Sequence, residues 1–346
     1  MSYQVALNFE DGITRFVECR PGDTVADASY RVGINIPLDC RDGACGTCKG
    51  FCESGQYEGG SYIEDALTNE EAAEGYILAC QMRPQSDCVI RIAATSNVCK
   101  TGVSTHTGQI SAIEKLSDTS VSFSVKVQPE PPLTFLPGQY ANIVVPDTGG
   151  QKRSYSFSSS PHAPEVTFLI RNTPSGLLPT YMRAKAEVGA PIEFTGPVGS
   201  FYLREAKRPL LFLAGGTGLA PFLAMLETMS HTGSKYPIHL IYGVTNDVDL
   251  VLVDKLEEFG KRLPNFTHAC CVADEQAAYP QKGYVTRYIE PAHVHDGDVD
   301  VYLCGPPAMV DAVRNHMSEQ GITSTSFYYE KFANSGVVTA IGAVLS

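Results

Sequence analysis

The chain has 346 residues, of which 43% are hydrophobic and 18% are charged, and it carries a formal net charge of −12. This composition is typical of a globular protein of roughly two or three domains, and the acidic balance argues against a nucleic-acid partner. The first residues lack the basic and apolar segments of a signal peptide, and no unbroken apolar run is long enough to span a membrane. We therefore expect a cytoplasmic protein that does not bind a membrane.

The N-terminal part of the chain predicts a compact α+β unit. Two alternating segments, 3–9 and 13–19, predict strands joined by a turn at Asp11-Gly12. The further elements predicted here are a helix near 23–33, helix-forming residues at 64–73 and a closing strand at 89–92. The polar segment 95–107 that follows predicts a linker.

Four cysteines of this unit carry the strongest signal in the chain. Cys40, Cys45 and Cys48 have the spacing C-x4-C-x2-C, and Cys80 follows at a distance. This is the ligand spacing of a plant-type [2Fe-2S] cluster. A structural zinc site usually has two short cysteine pairs, and a disulfide framework is uncommon in a large chain without a secretory segment. The pattern therefore favours the cluster, although zinc and disulfides are the alternatives.

The rest of the chain changes pattern twice. Residues 108–203 contain short β segments separated by Pro and Gly, which predict an antiparallel barrel; the segments are 121–127, 140–145, 166–170 and 192–194. From 204 onward strands and helices alternate, which predicts a parallel sheet covered by helices. The predicted strands are 209–214, 239–244 and 299–304, and the predicted helices are 221–229, 250–262 and 307–319.

A short motif lies at the end of one barrel strand. In Arg153-Ser154-Tyr155-Ser156, the arginine can pair with a diphosphate, the tyrosine can stack on a planar ring and the serine can donate to a ring nitrogen. Taken alone, the tetrapeptide is more typical of an ordinary exposed strand.

Two further motifs follow strands of the parallel sheet. Gly215-Gly216-Thr217-Gly218 joins a strand to a helix that begins near Pro221, and such a turn favours an anion at the helix N-terminus. It is not the G-x-G-x-x-G dinucleotide fingerprint. Cys304-Gly305-Pro306 ends a later strand, at the sheet edge where ligands bind in open α/β folds. Taken alone, Cys304 also fits a buried strand thiol.

In this order, the segments resemble ferredoxin–NAD(P)H reductases fused to an N-terminal plant-type ferredoxin. The resemblance is closest to the reductase components of two-component ring-hydroxylating dioxygenases, of the benzoate, toluate and anthranilate type. It rests on R-x-Y-S at 153–156, G-G-x-G-x-A-P at 215–221, C-G-P at 304–306 and E-x-F at Glu330-Lys331-Phe332. One departure is Pro179, which stands where the family's flavin loop usually has Ser or Thr.

The resemblance implies a role for each motif. The expected FAD-binding residues are Arg153, Tyr155, Ser156, Arg171, Gly176, Leu177, Leu178, Thr180 and Phe332. The expected nicotinamide nucleotide residues are Gly215, Gly216, Thr217, Gly218, Pro221, Asp249, Cys304, Gly305 and Pro306. Ser156, Cys304 and Glu330 are the expected catalytic residues. The acidic segment 243–249 has no Arg or Lys to meet a 2′-phosphate, so we expect NADH rather than NADPH.

These expectations define a three-domain electron-transfer enzyme. The predicted parts are a ferredoxin domain at 1–97, an FAD-binding barrel at 105–203, an NADH-binding α/β domain at 204–333 and a disordered tail at 334–346. Electrons are expected to pass from NADH through FAD and the cluster to a separate Rieske-type oxygenase, such as benzoate 1,2-dioxygenase, with the reductase acting as a monomer. The alternatives are the reductase of a diiron hydroxylase or deoxysugar dehydrase, or a redox-sensing flavo-iron-sulfur protein.

Overall fold

A computed structural model describes residues 2–100, 104–130 and 133–332. The tail predicted to be disordered, 334–346, lies outside these residues. Within the described ranges, none of the helices combines the length and the apolar character that crossing a membrane requires. Three five- or six-stranded sheets follow one another along the chain, and a short two-stranded sheet accompanies the first. The predicted fold class, in which an α+β ferredoxin unit precedes a barrel and an α/β unit, is confirmed.

The first sheet belongs to the ferredoxin unit. Its elements in chain order are β1 (Tyr3–Phe9), β2 (Thr14–Cys19), α1 (Val25–Arg31), β3 (Lys49–Ser54), β4 (Tyr57–Glu58), α2 (Asn69–Glu74), β5 (Tyr76–Leu78), β6 (Arg83–Pro84) and β7 (Cys88–Ile92). The sheet order is β2-β1-β7-β3-β5, with β1 and β2 forming the predicted hairpin. Helix α2 begins later than the predicted residue 64. Thr68 and Glu71 form a capping box that fixes its N-terminus.

The linker predicted at 95–107 is shorter than expected. A 3₁₀ turn occupies Val98–Lys100, and β8 (Ser104–Lys115) begins before the predicted end of the linker. The first residues of β8 are a strand because they pair with β13 (Pro191–Val198), with Thr107 opposite Glu193. This long-range pairing has no local sequence signal.

The second sheet forms most of a barrel. Besides β8 and β13, its strands are β9 (Ser120–Val127), β10 (Tyr140–Val144), β11 (Lys152–Ser156) and β12 (Val166–Arg171), and α3 (Leu177–Ala184) follows β12. The order is β11-β10-β13-β8-β9-β12, and all pairs are antiparallel. A bridge between Phe157 and Phe168 joins the two edges. Fully buried aromatic rings fill the interior, where Phe157 packs against Phe168 and Phe194.

The third sheet is parallel throughout. Its elements are β14 (Leu210–Gly215), α4 (Ala220–Thr232), β15 (Ile238–Val244), α5 (Val253–Arg262), β16 (Phe266–Val272), α6 (Pro291–Val294), β17 (Asp300–Gly305), α7 (Pro307–Glu319) and β18 (Ser326–Lys331). The order is β16-β15-β14-β17-β18, and apolar clusters cover both faces. Helix α5 begins at Val253 rather than at the predicted residue 250, and β18 was not predicted as a strand.

Buried charges connect the ferredoxin unit to the α/β unit. Glu71 accepts hydrogen bonds from Lys49 at 2.7 Å, from Arg314 at 3.0 Å and from the Tyr329 hydroxyl at 3.1 Å. The Glu71 side chain is only 5% exposed and that of Lys49 only 16% exposed. Because removing one partner leaves the other charges buried and unpaired, we expect Glu71 to be important for stability.

A second contact of this kind involves Arg204, between the barrel and the α/β unit. Its guanidinium donates to both carboxylate oxygens of Glu10 at 3.1 and 3.0 Å and to the Ala93 carbonyl at 3.2 Å. The same group stacks on the rings of Tyr202 and Tyr328. Arg204 therefore contacts all three units at one point.

We predict that Glu71→Gln destabilises the ferredoxin unit by on the order of 3 kcal/mol. Glutamine keeps the capping box with Thr68, because either residue type can fill that position, so the substitution isolates the loss of charge. The free energy of unfolding is measured by urea titration, followed through cluster absorbance. The matched control is Glu74→Gln in the same helix, whose exposed side chain should cost less than about 0.5 kcal/mol. Equal losses in the two variants would contradict the prediction.

Candidate functional site

The four predicted ligand cysteines come together at one end of the ferredoxin unit. Cys40, Cys45 and Cys48 lie in the loop before β3, and Cys80 follows β5. The Cys45 N–H donates to the Cys40 sulfur at 3.3 Å, and the Gln81 side-chain amide approaches the Cys80 sulfur at 3.8 Å. The eleven cysteines, which all lie within the described residues, are free thiols. Four thiols with N–H groups directed at sulfur fit a [2Fe-2S] cluster.

The backbone of this cysteine loop requires glycine. Gly43 has a φ of 83°, and a Cβ there would lie 2.4 Å from the Ser61 carbonyl oxygen. Gly46 has a φ of 71°, also in the left-handed region. The tight turn that these residues allow brings Cys40 next to Cys45, while Cys48 lies next to Cys80.

The R-x-Y-S motif lies on β11, at the edge of the barrel. Tyr155 is partly buried, and this burial raises its pKa to about 12, so its phenol stays neutral. Ser156 is buried, and Arg153 is partly buried with its guanidinium donating to the Lys152 carbonyl. Arg171 ends the neighbouring edge strand β12 and is exposed. The motif thus presents a cation, a ring and a hydroxyl along one edge, a chemistry that fits a flavin and its diphosphate.

The predicted diphosphate loop ends in helix α3. Gly176 is its N-cap, and a Cβ there would lie 2.4 Å from the Thr173 hydroxyl, so a larger residue would have to displace the Thr173 side chain. Pro179 is the third residue of the helix, where the first-turn N–H groups have no intrahelical partner in any case. The N–H groups of Leu177 and Leu178 precede it and suit an anion. The departure at Pro179 is therefore compatible with diphosphate binding.

Thr180 follows Pro179, and its hydroxyl makes hydrogen bonds within the protein. Its hydroxyl donates to the Pro174 carbonyl at 3.4 Å and accepts from Arg183 at 3.2 Å. Its role in cofactor binding stays a prediction.

The glycine-rich turn after β14 packs against the C-G-P loop after β17. A Cβ on Gly218 would lie 2.3 Å from the Cys304 carbonyl oxygen, and one on Gly215 would lie 2.4 Å from the Met309 sulfur. Gly216, in contrast, has no atom within 4 Å of its Cβ position and faces open space. Thr217 lies in the 3₁₀ turn that leads into α4, and Pro221 lies in the first turn of that helix. The arrangement leaves the turn and the helix N-terminus accessible to a dinucleotide phosphate.

Two aspartates follow β15 at the expected ribose position. The Asp249 carboxylate accepts from the Asn246 N–H at 3.1 Å and caps a 3₁₀ turn. Asp247 accepts from the backbone N–H groups of Ala278 and Tyr279 at 2.6 and 3.1 Å. Fixed carboxylates at this edge disfavour a 2′-phosphate, which agrees with NADH.

The three predicted catalytic residues meet between the barrel and the α/β unit. Ser156 donates to a Glu330 carboxylate oxygen at 3.2 Å, and the Cys304 sulfur lies 4.0 Å from the same oxygen. Strand β18 creates this geometry by pairing with β17, which sets Glu330 opposite Cys304. Phe332 follows, and its N–H donates to the Gly305 carbonyl at 3.0 Å.

The protonation of this cluster follows from its surroundings. Although Glu330 keeps some accessible surface, burial of its carboxyl group raises its pKa to about 8. Burial also raises the pKa of the Cys304 thiol far above its ordinary value. At neutral pH, therefore, both groups are uncharged.

Sequence reasoning missed the contact between the cysteine loop and the barrel strand that carries Tyr140, next to Ser156. The Tyr140 hydroxyl lies 3.1 Å from the Thr47 hydroxyl and 2.9 Å from an Asp39 carboxylate oxygen. Tyr140 pairs with Ser156 in the barrel sheet. The one available signal was the position of Asp39 and Thr47 immediately before Cys40 and Cys48. The loop is thus next to the residues expected to hold the flavin.

Comparison with known proteins agrees with this arrangement. Three family models match: a 2Fe-2S iron-sulfur cluster binding domain at 8–85, an oxidoreductase FAD-binding domain at 107–202 and an oxidoreductase NAD-binding domain at 212–315. The domain boundaries predicted from the sequence stay predictions.

Relatives match over nearly the whole chain. The toluate 1,2-dioxygenase electron transfer component of Pseudomonas putida is 56% identical over 97% of this chain and 100% of its own length. The 2-halobenzoate 1,2-dioxygenase electron transfer component of Burkholderia cepacia is 48% identical, with 96% and 98% covered. A solved cytochrome P450 reductase of Amycolatopsis is 29% identical and has a TM-score of 0.70, with 96% of this chain and 100% of that chain covered.

We predict that Gly218→Ala raises the KM for NADH by about tenfold, since overpacking of this size costs roughly 1–3 kcal/mol. The added methyl group would collide with the Cys304 backbone and separate the two loops. The KM is measured with an artificial electron acceptor, after the visible spectrum has shown that flavin and cluster are retained. Gly260→Ala is the matched control, because it adds a methyl group in open space in helix α5 of the same unit and should leave the KM unchanged. An unchanged KM in Gly218→Ala would refute the predicted contact.

Proposed function

Because this chain belongs to the family of electron transfer components of ring-hydroxylating 1,2-dioxygenases, we propose that it reduces a Rieske-type terminal oxygenase, such as benzoate 1,2-dioxygenase. The chain is an oxidoreductase with NAD-, FAD- and 2Fe-2S-binding domains, and its electrons run from NADH through FAD to the cluster. It works together with a terminal oxygenase. The Rieske class of the partner is the further step that we propose.

One observation supports the electron path: residues of the three candidate cofactor sites are in contact with one another. Ser156 of the R-x-Y-S motif bonds Glu330, which lies beside Cys304 of the nucleotide loop. Tyr140, the strand partner of Ser156, contacts Thr47 of the cysteine loop. We propose that electron carriers held at these places exchange electrons without movement of the domains.

The chain supplies position and electrostatics to this chemistry. When bound, FAD takes the two electrons of a hydride from NADH and releases them singly to a one-electron cluster. We propose that Tyr155 stacks on the flavin, that Arg153, Arg171 and the N-terminus of α3 hold its diphosphate, and that Phe332 covers the ring. We propose further that Cys304 and Glu330 orient the nicotinamide while Ser156 donates a hydrogen bond near the flavin N5.

The charge of the ferredoxin unit supports a basic docking partner. Residues 1–97 contain 15 Asp and Glu against 7 Lys and Arg. Among the exposed acids, Asp42 lies in the cysteine loop and Glu64 and Asp65 lie next to it, since the Ile63 N–H donates to the Gly43 carbonyl. An acidic surface around the cluster would steer the approach of an oxygenase with a basic patch. Action as a monomer in the cytoplasm stays a prediction.

The first experiment is the visible spectrum of the purified protein under anaerobic conditions, before and after NADH. Flavin and iron–sulfur bands that both bleach would support the electron path. Turnover is then measured with purified Rieske dioxygenases and, for comparison, with a diiron hydroxylase. Product formation only with the diiron enzyme would overturn the Rieske assignment. A negligible rate of NADH oxidation with an artificial acceptor would instead favour a redox sensor.

We predict that flavin reduction by NADH slows as the pH rises through about 8, the pKa of Glu330. Below that pH the carboxyl is neutral, and above it a negative charge would oppose the addition of electrons to the nearby ring. Glu330→Gln should keep the neutral charge at every pH and should lose this alkaline limb. The rate is measured by stopped flow at the flavin band. The pH is varied from about 6 to about 9.5, a range that extends to both sides of neutral pH.

Ser156→Ala provides an independent check on the assignment. The Ser156 hydrogen bond to the carboxylate lowers the Glu330 pKa, against the larger effect of burial, so its loss should move the alkaline limb to higher pH. An alkaline limb that persists unchanged in Glu330→Gln would show that another group titrates.

A further inference from the structure

A hydrogen-bond network connects the cysteine loop to the flavin strand of the barrel. It comprises Asp39, Thr47, Tyr140, Asn142 and Ser154, and we call it the cluster bridge. We infer that Tyr140 and Asn142 are positioning residues, which hold the cysteine loop against the flavin strand and thereby set the rate of electron transfer from flavin to cluster. The inference rests on the proposed function, because it requires both carriers to be bound.

The bridge uses both oxygens of one carboxylate. Asp39 accepts from the Tyr140 hydroxyl at 2.9 Å through one oxygen and from the Asn142 side-chain amide at 2.5 Å through the other. An ionised carboxylate only accepts hydrogen bonds, so the tyrosine proton points to Asp39 and Thr47 donates its own proton to the Tyr140 oxygen. Charge-assisted bonds of this kind are shorter, stronger and more directional than neutral ones.

The barrel side of the bridge is rigid. Asn142 orients its amide by accepting from the Ser154 hydroxyl at 2.7 Å. The register of β10 and β11 sets Asn142 opposite Ser154 and Tyr140 opposite Ser156. The Tyr140 ring packs on Gly199, where a Cβ would lie 2.8 Å from a ring carbon. Burial, aided by the Asp39 charge, raises the pKa of Tyr140 far above its ordinary value, so the hydroxyl remains a donor.

The position of the bridge along the chain gives it a functional consequence. Asp39 immediately precedes the ligand Cys40, and Thr47 immediately precedes the ligand Cys48. A third contact holds the same segment, because Ser200 donates to the Thr47 carbonyl at 3.3 Å. On the other side, Tyr140 is the strand neighbour of Ser156, which is expected to meet the flavin. The bridge is therefore directly adjacent to residues expected to bind each carrier.

Each electron transfer across this contact is a single-electron step. With both cofactors bound, one electron would leave the flavin and one Fe(III) of the cluster would become Fe(II), so one hydride from NADH would supply two successive transfers. Hydride transfer to the flavin does not involve the cysteine loop. A loosened bridge should accordingly slow cluster reduction and leave flavin reduction unchanged.

Two variants test the bridge from the barrel side. Tyr140→Phe removes one hydroxyl with little change in packing. Asn142→Asp is nearly isosteric and directs a second carboxylate at Asp39, which replaces attraction by repulsion. The matched control is Tyr202→Phe, because the buried Tyr202 hydroxyl also joins the barrel to the ferredoxin unit, accepting from the Thr95 N–H at 3.0 Å, but does so away from the cysteine loop.

Stopped-flow absorbance after mixing with NADH follows the flavin and cluster bands separately, in protein whose cofactor content has been verified. We expect cluster reduction to slow by about tenfold in Asn142→Asp, the loss that one charge-assisted hydrogen bond represents, and by less in Tyr140→Phe. Flavin reduction should change by less than about twofold in both, and Tyr202→Phe should match the wild type in both phases. Amide hydrogen exchange, which does not depend on turnover, should become faster at residues 39–48 in the two bridge variants only.

Two outcomes would overturn the inference. One is cluster reduction in Asn142→Asp as fast as in the wild type with exchange at residues 39–48 unchanged. The other is an equal slowing in Tyr202→Phe, which would assign the effect to domain contact in general. Failure of the proposed function is distinguishable, because it would appear in the wild type as flavin or cluster bands that are missing or do not bleach with NADH.

Discussion

Buried polar contacts fix the ferredoxin unit against the rest of the molecule, and the electron path depends on them. The apolar cluster of this unit contains only residues of its own segment, from Val5 to Cys99. Where the unit faces the barrel, a cavity of about 260 Å³ remains between residues such as Leu38 and Phe135. Contact with the barrel is made instead by the Asp39 carboxylate, and contact with the α/β unit by the Glu71 carboxylate. Since such bonds are directional, they set an orientation as well as an affinity.

The barrel and the α/β unit are joined in a different way. Phe201 of the barrel side belongs to the same apolar cluster as Phe212 and Phe222 of the parallel sheet, and its ring packs edge-on against Phe222. This shared core holds the Ser156 edge of the barrel opposite the carboxyl ends of β17 and β18. The hydrogen bond between Ser156 and Glu330 follows from that placement. The flavin and nucleotide sites are thus fixed by apolar packing, whereas the cluster is held to them by polar contacts.

Sequence analysis succeeded where the determinants were local. The cysteine spacing, the R-x-Y-S motif and the glycine turn are short patterns, and the structure places them at their expected element ends. Sequence analysis failed where an element forms only by pairing with residues that are distant in the sequence. The first residues of β8 are a strand because they pair with β13, and β18 is a strand because it pairs with β17. Every residue of β18 is only partly buried, so its sequence shows no alternation of apolar and polar residues. The contact between Asp39 and Tyr140 spans 101 positions and has no local signature.

The cysteine loop has two faces with different surroundings. Its Asp39 and Thr47 side is engaged by the barrel and cannot receive another protein. Its other side, near Asp42 and Asp65, is exposed and acidic. The arrangement is consistent with the proposal that an electron enters the cluster from the flavin side and leaves through the acidic side while the ferredoxin unit stays in place. Under the proposed function, the polar contacts with the barrel would serve transfer within the reductase, and the exposed carboxylates would serve the encounter with the oxygenase.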